Sequence, residues 1–269
     1  MAHILLTNDD GIDAPGLRAL LRALRPLAGV TVFAPDHNWS AAGHTKTMHK
    51  PLRVTPYTFE CDTPASSSPP PRQGGATEDV VAYTTTGAPS DCVALALLGI
   101  LPKAPDLVVS GINQGANVGH DVTYSGTVAA AMEAVIFGLP AVAISLNDYQ
   151  SHEFGFAAEV GARVVRQVLA RGLPPGVFLN VNVPCRPAEE IHGLEVTRLG
   201  RRVYRDILIE REDPRGQPYY WIGGEPPTGH EDEGTDIGAL ARGYVSVSPV
   251  HLDMTAHELL PALGTWDWE

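Results

Sequence analysis

Short apolar runs alternate with helix-patterned segments through the first 190 residues, and this alternation limits the possible folds more than any other feature of the chain. Residues 3–6, 30–34, 107–110, 141–146 and 178–183 are apolar enough to be strands buried on both faces. Helical patterns lie between them. Pro15 suits a first helical position, and Leu17, Leu20, Leu21 and Leu24 follow at helical spacing. Ser90 is a plausible cap for a helix over 91–98, Gly138 ends one over 125–137, and a third spans 157–170. Strand, loop, helix and strand at these lengths make a βαβ unit, with parallel pairing and a right-handed crossover. The expected fold class is α/β, a doubly wound and mostly parallel sheet covered by helices on both faces.

Two stretches depart from this rhythm. Residues 63–76 are rich in Ser, Pro and Gly, as a flexible surface loop would be. From about residue 191 the alternation gives way to short strand-like pieces, a turn at 213–216 and the aromatic cluster Tyr219, Tyr220 and Trp221. The chain therefore divides into an α/β core over 1–190 and a β-rich hairpin region over 191–269, packed on that core and suited to oligomer contacts or to a lid. A span of 269 residues with 44% apolar content allows a sizeable buried core.

The net charge of -12 argues against a nucleic-acid polymer as partner, since such proteins usually carry a basic face. Cys61, Cys92 and Cys185 are odd in number and form no CxxC, which fits a reducing compartment. The N-terminus lacks the basic start and long apolar stretch of a signal peptide. Residues 128–146 contain Glu133, Gly138 and Pro140, so they read as a helix followed by a strand and not as a membrane span. The expected setting is the cytoplasm, without a membrane partner.

Functional loops of a parallel sheet follow the carboxyl ends of its strands. After the first strand comes Thr7-Asn8-Asp9-Asp10-Gly11. Paired carboxylates there suit a hard cation such as Mg²⁺ or Mn²⁺, although an acidic turn that caps the next helix has the same composition. After the second strand a polar loop carries Ser40, a hydroxyl ligand candidate, with His44 and Lys46 able to approach a phosphate. After the strand at 107–110 come Asn113 and Asn117 in a glycine-rich loop, then Ser125-Gly126-Thr127 at the start of a helix. Free N–H groups and the helix dipole make that start a phosphate cradle; an ordinary Ser N-cap is the plainer alternative. Together these loops resemble phosphoryl-transfer machinery. There is no GxxxxGK[ST] and no GxGxxG after the first strand, which argues against a P-loop and a dinucleotide site.

Several motifs stand in a specific order: Asn8-Asp9-Asp10-Gly11, Ala34-Pro35-Asp36, Ser40, Gly87-Ala88-Pro89-Ser90-Asp91-Cys92, Ser110-Gly111-Ile112-Asn113, Tyr124-Ser125-Gly126-Thr127-Val128, Asn180-Val181-Asn182-Val183-Pro184, Gly234-Thr235-Asp236 and Gly243-Tyr244-Val245-Ser246-Val247-Ser248-Pro249. In this set the chain resembles the SurE family of stationary-phase-survival nucleotidases, from the first strand to about His257. The resemblance implies a Rossmann-like, SurE-like fold and a divalent-metal-dependent phosphatase acting on nucleoside 5′- and 3′-monophosphates. Short polyphosphate is a further substrate of some members. It places one Mg²⁺ or Mn²⁺ per subunit on Asp9, Asp10, Ser40 and Asn113, and substrate phosphate on Asn117, Ser125, Gly126 and Thr127. It also implies a homodimer or homotetramer with small-molecule nucleotide substrates. Trp39 stands where the family often has a basic residue, Lys46 where an apolar one is common, and the insertion around 66–71 is longer than usual.

The chemistry expected is attack of water on phosphorus, with Asp9 or Asp10 as general base, or a covalent aspartyl-phosphate. A hydrolase of another phosphate substrate and a non-enzymatic nucleotide or phosphate sensor are the competing functions. His37, His44, His120, His251 and His257 read mainly as surface or packing residues, with only His44 and His120 in candidate loops. The cluster Tyr219, Tyr220 and Trp221 reads as interface or hairpin packing, with base stacking as the minority alternative.

Overall fold

The computed structural model describes residues 1–59 and 80–268. The Pro/Ser-rich segment 63–76 and Cys61 lie outside the described residues. The chain runs β1 (His3–Thr7), α1 (Pro15–Leu24), β2 (Gly29–Pro35), β3 (Val54–Tyr57), β4 (Val81–Thr85) and α2 (Pro89–Leu95). It continues through β5 (Leu107–Gln114), α3 (Gly126–Ile136), β6 (Ala141–Asn147), α4 (Gly155–Arg171) and β7 (Val177–Pro184). The last part holds β8 (Gly193–Val196), β9 (Arg202–Glu212), β10 (Pro218–Gly229), α5 (Asp236–Ala241) and β11 (Tyr244–His251).

Nine strands form one sheet in the order β3-β4-β2-β1-β5-β6-β7-β11-β8. The pairs from β4 across to β7 are parallel, as the apolar runs predict. Leu5 of β1 lies opposite Thr31 of β2 on one side and Val108 of β5 on the other. The chain leaves β1 toward β2 and later returns to its other flank as β5, so the winding reverses at β1. In a doubly wound sheet this reversal opens a crevice at the strands' carboxyl ends.

Side chains alternate across the strands and divide the core in two. Ile4 and Leu6 join Leu17, Leu20, Leu24, Val165 and Ile144 on the α1/α4 face. Leu5 joins Phe33, Val93, Val128, Met132 and Val108 on the α2/α3 face. Each such side chain, fully buried, contributes about 1.5–3 kcal/mol relative to exposure.

Three expectations need correction. The helix over 91–98 is shorter, because α2 ends at Leu95 and a π-turn, Ala96–Ile100, follows. Ser90 is not its cap: Pro89 occupies the first turn, and Asp91 Oδ2 accepts the Ala88 N–H at 2.9 Å instead. The stretch after 190 is not wholly outside the sheet. β11 pairs antiparallel with β7 and parallel with β8, so both strands extend the core sheet. Its run Val245, Val247 and Val250 is buried, but no crossover helix of βαβ length introduces it, so the alternation alone does not reveal it. β9 and β10 pair only with each other, as an antiparallel hairpin.

Candidate active site

The acid turn after β1 sits at the reversal point. Asp9 is 3% exposed, whereas Asp10 is half-buried. Asp9 is held from above by the first turn of α3. The Thr127 hydroxyl donates to its Oδ1, and the backbone amides of Gly126 and Thr127 also favour its charged form. The approach is close enough to require glycine. A Cβ on Gly126 would stand 2.7 Å from the Asp9 Cβ and 2.9 Å from its Oδ2. Burial nevertheless dominates, and the Asp9 carboxyl lies above its ordinary value. Asp10 is pushed up to about 6, first by burial and then by the adjacent Asp9 charge. Asn38 Nδ2 donates to Asp10 Oδ1 at 3.2 Å and the Gln114 N–H to Oδ2 at 3.3 Å.

Ser40 and Asn113 reach the same end of the sheet from β2 and β5. Ser40 is exposed; its N–H donates to Asn38 Oδ1 at 2.7 Å, and Asn38 is the residue that touches Asp10. The Trp39 N–H donates to the Asp9 carbonyl at 2.8 Å, which ties this loop to the acid turn. In β5 the register against β6 shifts between Ser110 and Asn113, an irregularity of the kind that re-aims a side chain at a strand end. The Asn113 amide nitrogen donates to the Gly115 carbonyl at 2.7 Å, so its Oδ1 is the atom left to accept.

These residues fit a hard divalent cation. Every candidate donor is an oxygen: two carboxylates, one hydroxyl and one amide. Both carboxyl groups lie above their usual range, which is the condition a shared cation relieves. Asn8 Oδ1 is also buried here without a partner among the described residues. Among the described residues no group of three or more His, Cys, Asp or Glu side chains gathers as a metal site, so the candidate rests on the acid pair with neutral oxygens.

The family model for survival protein SurE matches residues 4–206. Among relatives, "5′-nucleotidase SurE" of Chloroflexus aggregans is 49% identical over 269 residues, covering 99% of this chain and all of its own. The protein of the same name from Herpetosiphon aurantiacus is 48% identical, over 99% of this chain and 98% of its own. The crystal structure of the SurE protein from Aquifex aeolicus superposes with a TM-score of 0.78 at 40% identity, covering 97% of this chain and 98% of that one.

The chain belongs to the SurE family. Within this SurE chain the other predicted residues fall into two groups. Ser125, Gly126 and Thr127 are at the α3 N-terminus as expected, but Ser125 Oγ caps the helix by accepting the Val128 N–H at 3.1 Å, and the next two residues meet Asp9. Asn117 and His44 are engaged elsewhere. Asn117 Nδ2 donates to Ser145 Oγ at 2.8 Å, and its backbone is gripped by Asn180 and Asn182. His44 Nε2 meets Glu133 Oε2 at 2.9 Å.

The last contact belongs to an anchor that sequence reasoning missed. Glu133 on α3 is 3% exposed and binds His44 and Lys46, the latter at 2.8 Å. Burial pushes its carboxyl up, but these two partners outweigh burial and hold it below the ordinary range. Asp91, buried on α2, accepts from both the N–H and the hydroxyl of Thr47 at 2.9 and 2.7 Å. The Gly43 N–H donates to the Tyr124 carbonyl at 2.9 Å. The segment that follows Ser40 is thus fastened to α2, α3 and the turn before α3. The signal was present: Glu133 is the one charged residue of α3 and its neighbours are apolar, so when buried it must find a partner.

Proposed function

We propose that the protein hydrolyses nucleoside 5′- and 3′-monophosphates to nucleoside and phosphate, with one Mg²⁺ or Mn²⁺ per subunit on Asp9, Asp10, Ser40 and Asn113. Its relatives are named 5′-nucleotidases over its full length, and the protein is a phosphoric monoester hydrolase. The observation that carries the reading is the acid pair at the β1 end, one member locked to the α3 N-terminus and the other half-open.

That difference supports a division of roles. Asp9 is fixed by Thr127 and the α3 amides, so it provides a charge that does not move. Asp10 is half-buried and so keeps a side open toward an incoming water, which suits it to accept a proton. In the proposed reaction water oxygen bonds to phosphorus as the ester bond to the nucleoside oxygen breaks; the water proton passes to an Asp10 oxygen, and the leaving oxygen takes a proton from Asp10 or solvent to give the nucleoside. A bound Mg²⁺ or Mn²⁺ supplies Lewis-acid charge at the phosphoryl oxygens. The α3 N-terminus adds its dipole on the same side. The core 1–190 carries this site, and the 191–269 region supplies the contacts of a homodimer or homotetramer, with the β9–β10 hairpin as the contact arm. Among the described residues Cys92 and Cys185 form no disulfide, and a reducing cytoplasmic setting remains the proposed one. Among the described residues no helix is long and apolar enough to cross a membrane.

The deciding experiment is phosphate release from a panel of 5′- and 3′-nucleotides, ribose 5-phosphate and short polyphosphate, with Mn²⁺ and with EDTA. Turnover of nucleotides that EDTA silences and Mn²⁺ restores is expected. Turnover that persists after complete chelation would remove the metal assignment, and no turnover of any nucleotide would remove the function.

A further inference from the structure

Beside the acid pair, an exposed aromatic ring is held in place by the same strand end that supports Asp10. Tyr149 lies in the turn after β6 and is 67% exposed. One side of its ring rests on Gly115, the residue just past β5. A Cβ on Gly115 would stand 2.3 Å from Tyr149 Cε1, 2.7 Å from Cδ1 and 3.1 Å from Cζ, so any other residue there would displace the ring. Gly115 also has φ +112, a conformation that favours glycine.

The turn that presents the ring is built to hold it. Asp148 Oδ1 accepts the N–H groups of Gln150 and Ser151 at 2.6 and 2.9 Å. Gln114 Nε2 donates to the Ser151 carbonyl at 2.9 Å, while the Gln114 backbone N–H donates to Asp10. Asn113 donates to the Gly115 carbonyl at 2.7 Å. Gln114 therefore touches both the acid pair and the Tyr149 turn. Through Gln114 the acid pair and the exposed ring share one strand end, so a ligand with an anionic group and a flat ring could reach both.

We propose that Tyr149 is the platform on which the substrate's nucleobase stacks, and so a specificity-determining residue. The proposal rests on the nucleotidase reading above and deepens it. Every base has a π-face, so a stacking platform selects nucleotides over base-free phosphates without selecting one base. It also moves the stacking role away from Tyr219, Tyr220 and Trp221, which lie on β10 of the hairpin.

The test compares AMP with ribose 5-phosphate, in the full-length protein with Mn²⁺, for wild type, Tyr149→Ala and Tyr149→Phe. Stacking is worth about 1–3 kcal/mol per base, so Tyr149→Ala is expected to raise the KM for AMP roughly 5- to 150-fold. Tyr149→Phe should restore it, and the KM for ribose 5-phosphate should stay put. Calorimetric binding of AMP to the EDTA-treated protein provides an arm independent of turnover, in which Tyr149→Ala weakens binding and Tyr149→Phe does not. A KM for AMP that does not change, or an equal loss on both substrates, overturns the proposal; the second outcome would mean that the ring only shores up Gly115. Loss of all phosphate release in wild type would instead sink the nucleotidase reading, with the binding arm still judging Tyr149.

Discussion

Asp9 and Trp221 mark opposite ways of using a side chain in this fold. Asp9 is 3% exposed and meets α3, which lies more than a hundred residues later in the chain. Trp221 is 63% exposed on β10, with Leu208 and Ile222 at 69% and 80%, in a hairpin whose strand pairing is entirely local. The first region is assembled from distant segments and buries a charge. The second is assembled from neighbours and exposes apolar surface. Burying a charge is costly unless it is paired or coordinates a metal, and large apolar side chains left exposed on both faces of a hairpin mark a surface that a partner covers. The first is the proposed reaction centre and the second the proposed contact surface, and substitutions in each should separate catalysis from assembly.

The largest expected effect is at the acid pair. Asp9→Asn and Asp10→Asn should each lower kcat on AMP by on the order of a thousandfold, the scale of losing a group that acts on transition-state charge. Thermal stability should fall little or even rise in metal-free buffer, since each change removes one of two crowded buried charges. Wild-type turnover in either variant would dissolve the assignment. Thr127→Val is the next step down. It removes the donor to Asp9 and leaves that carboxylate short of a partner, at a cost of about 1–3 kcal/mol in a denaturant melt. A donor to the charged form keeps a carboxyl's pKa low, so its loss should also shift the acid limb of the kcat/KM profile upward in pH.

Glu133 sharpens the comparison from inside the core. Its carboxyl is held below the ordinary 4.5 by His44 and Lys46 against the opposing effect of burial. A depressed acid stabilises the fold above its unfolded value and loses that contribution as pH falls through the folded one. Glu133→Gln should thus cost about 2 kcal/mol above pH 5, and the gap to wild type should close as the pH drops below 4.5. A gap independent of pH, measured by paired melts, would show that the carboxylate charge does not fasten the Ser40 loop.

Much of this was legible in the chain, for identifiable reasons. The parallel strands and α1 follow from apolar runs and leucine spacing, because burial on both faces leaves no room for polar residues. Asp9 and Asp10 were legible as a pair because sequence neighbours in a turn stay neighbours in space. What the chain could not disclose was pairing at a distance. Nothing local says that Thr127 hydrogen-bonds Asp9, that His44 serves Glu133, or that Asn117 turns to Ser145. Each side chain was read by its own loop, and the competing partner sits on another element. β11 was missed for a related reason, since its place beside β7 depends on antiparallel pairing that the βαβ rhythm does not predict.

The smallest expected effect on turnover comes from the hairpin, and it completes the contrast. Trp221→Ser with Ile222→Ser changes two exposed positions, so each should alter the stability of an isolated subunit by no more than about 0.5 kcal/mol. The kcat on AMP should remain near wild type, because the acid pair, Thr127 and the Ser40 loop are held by elements of the core. Light scattering should show a smaller assembly than wild type, since exposed apolar side chains of this kind mark contact surfaces. An unchanged molar mass would mean that the hairpin is not an assembly contact. A fall in kcat alongside an intact assembly would mean that the hairpin reaches the reaction centre, and the separation between the two regions would fail.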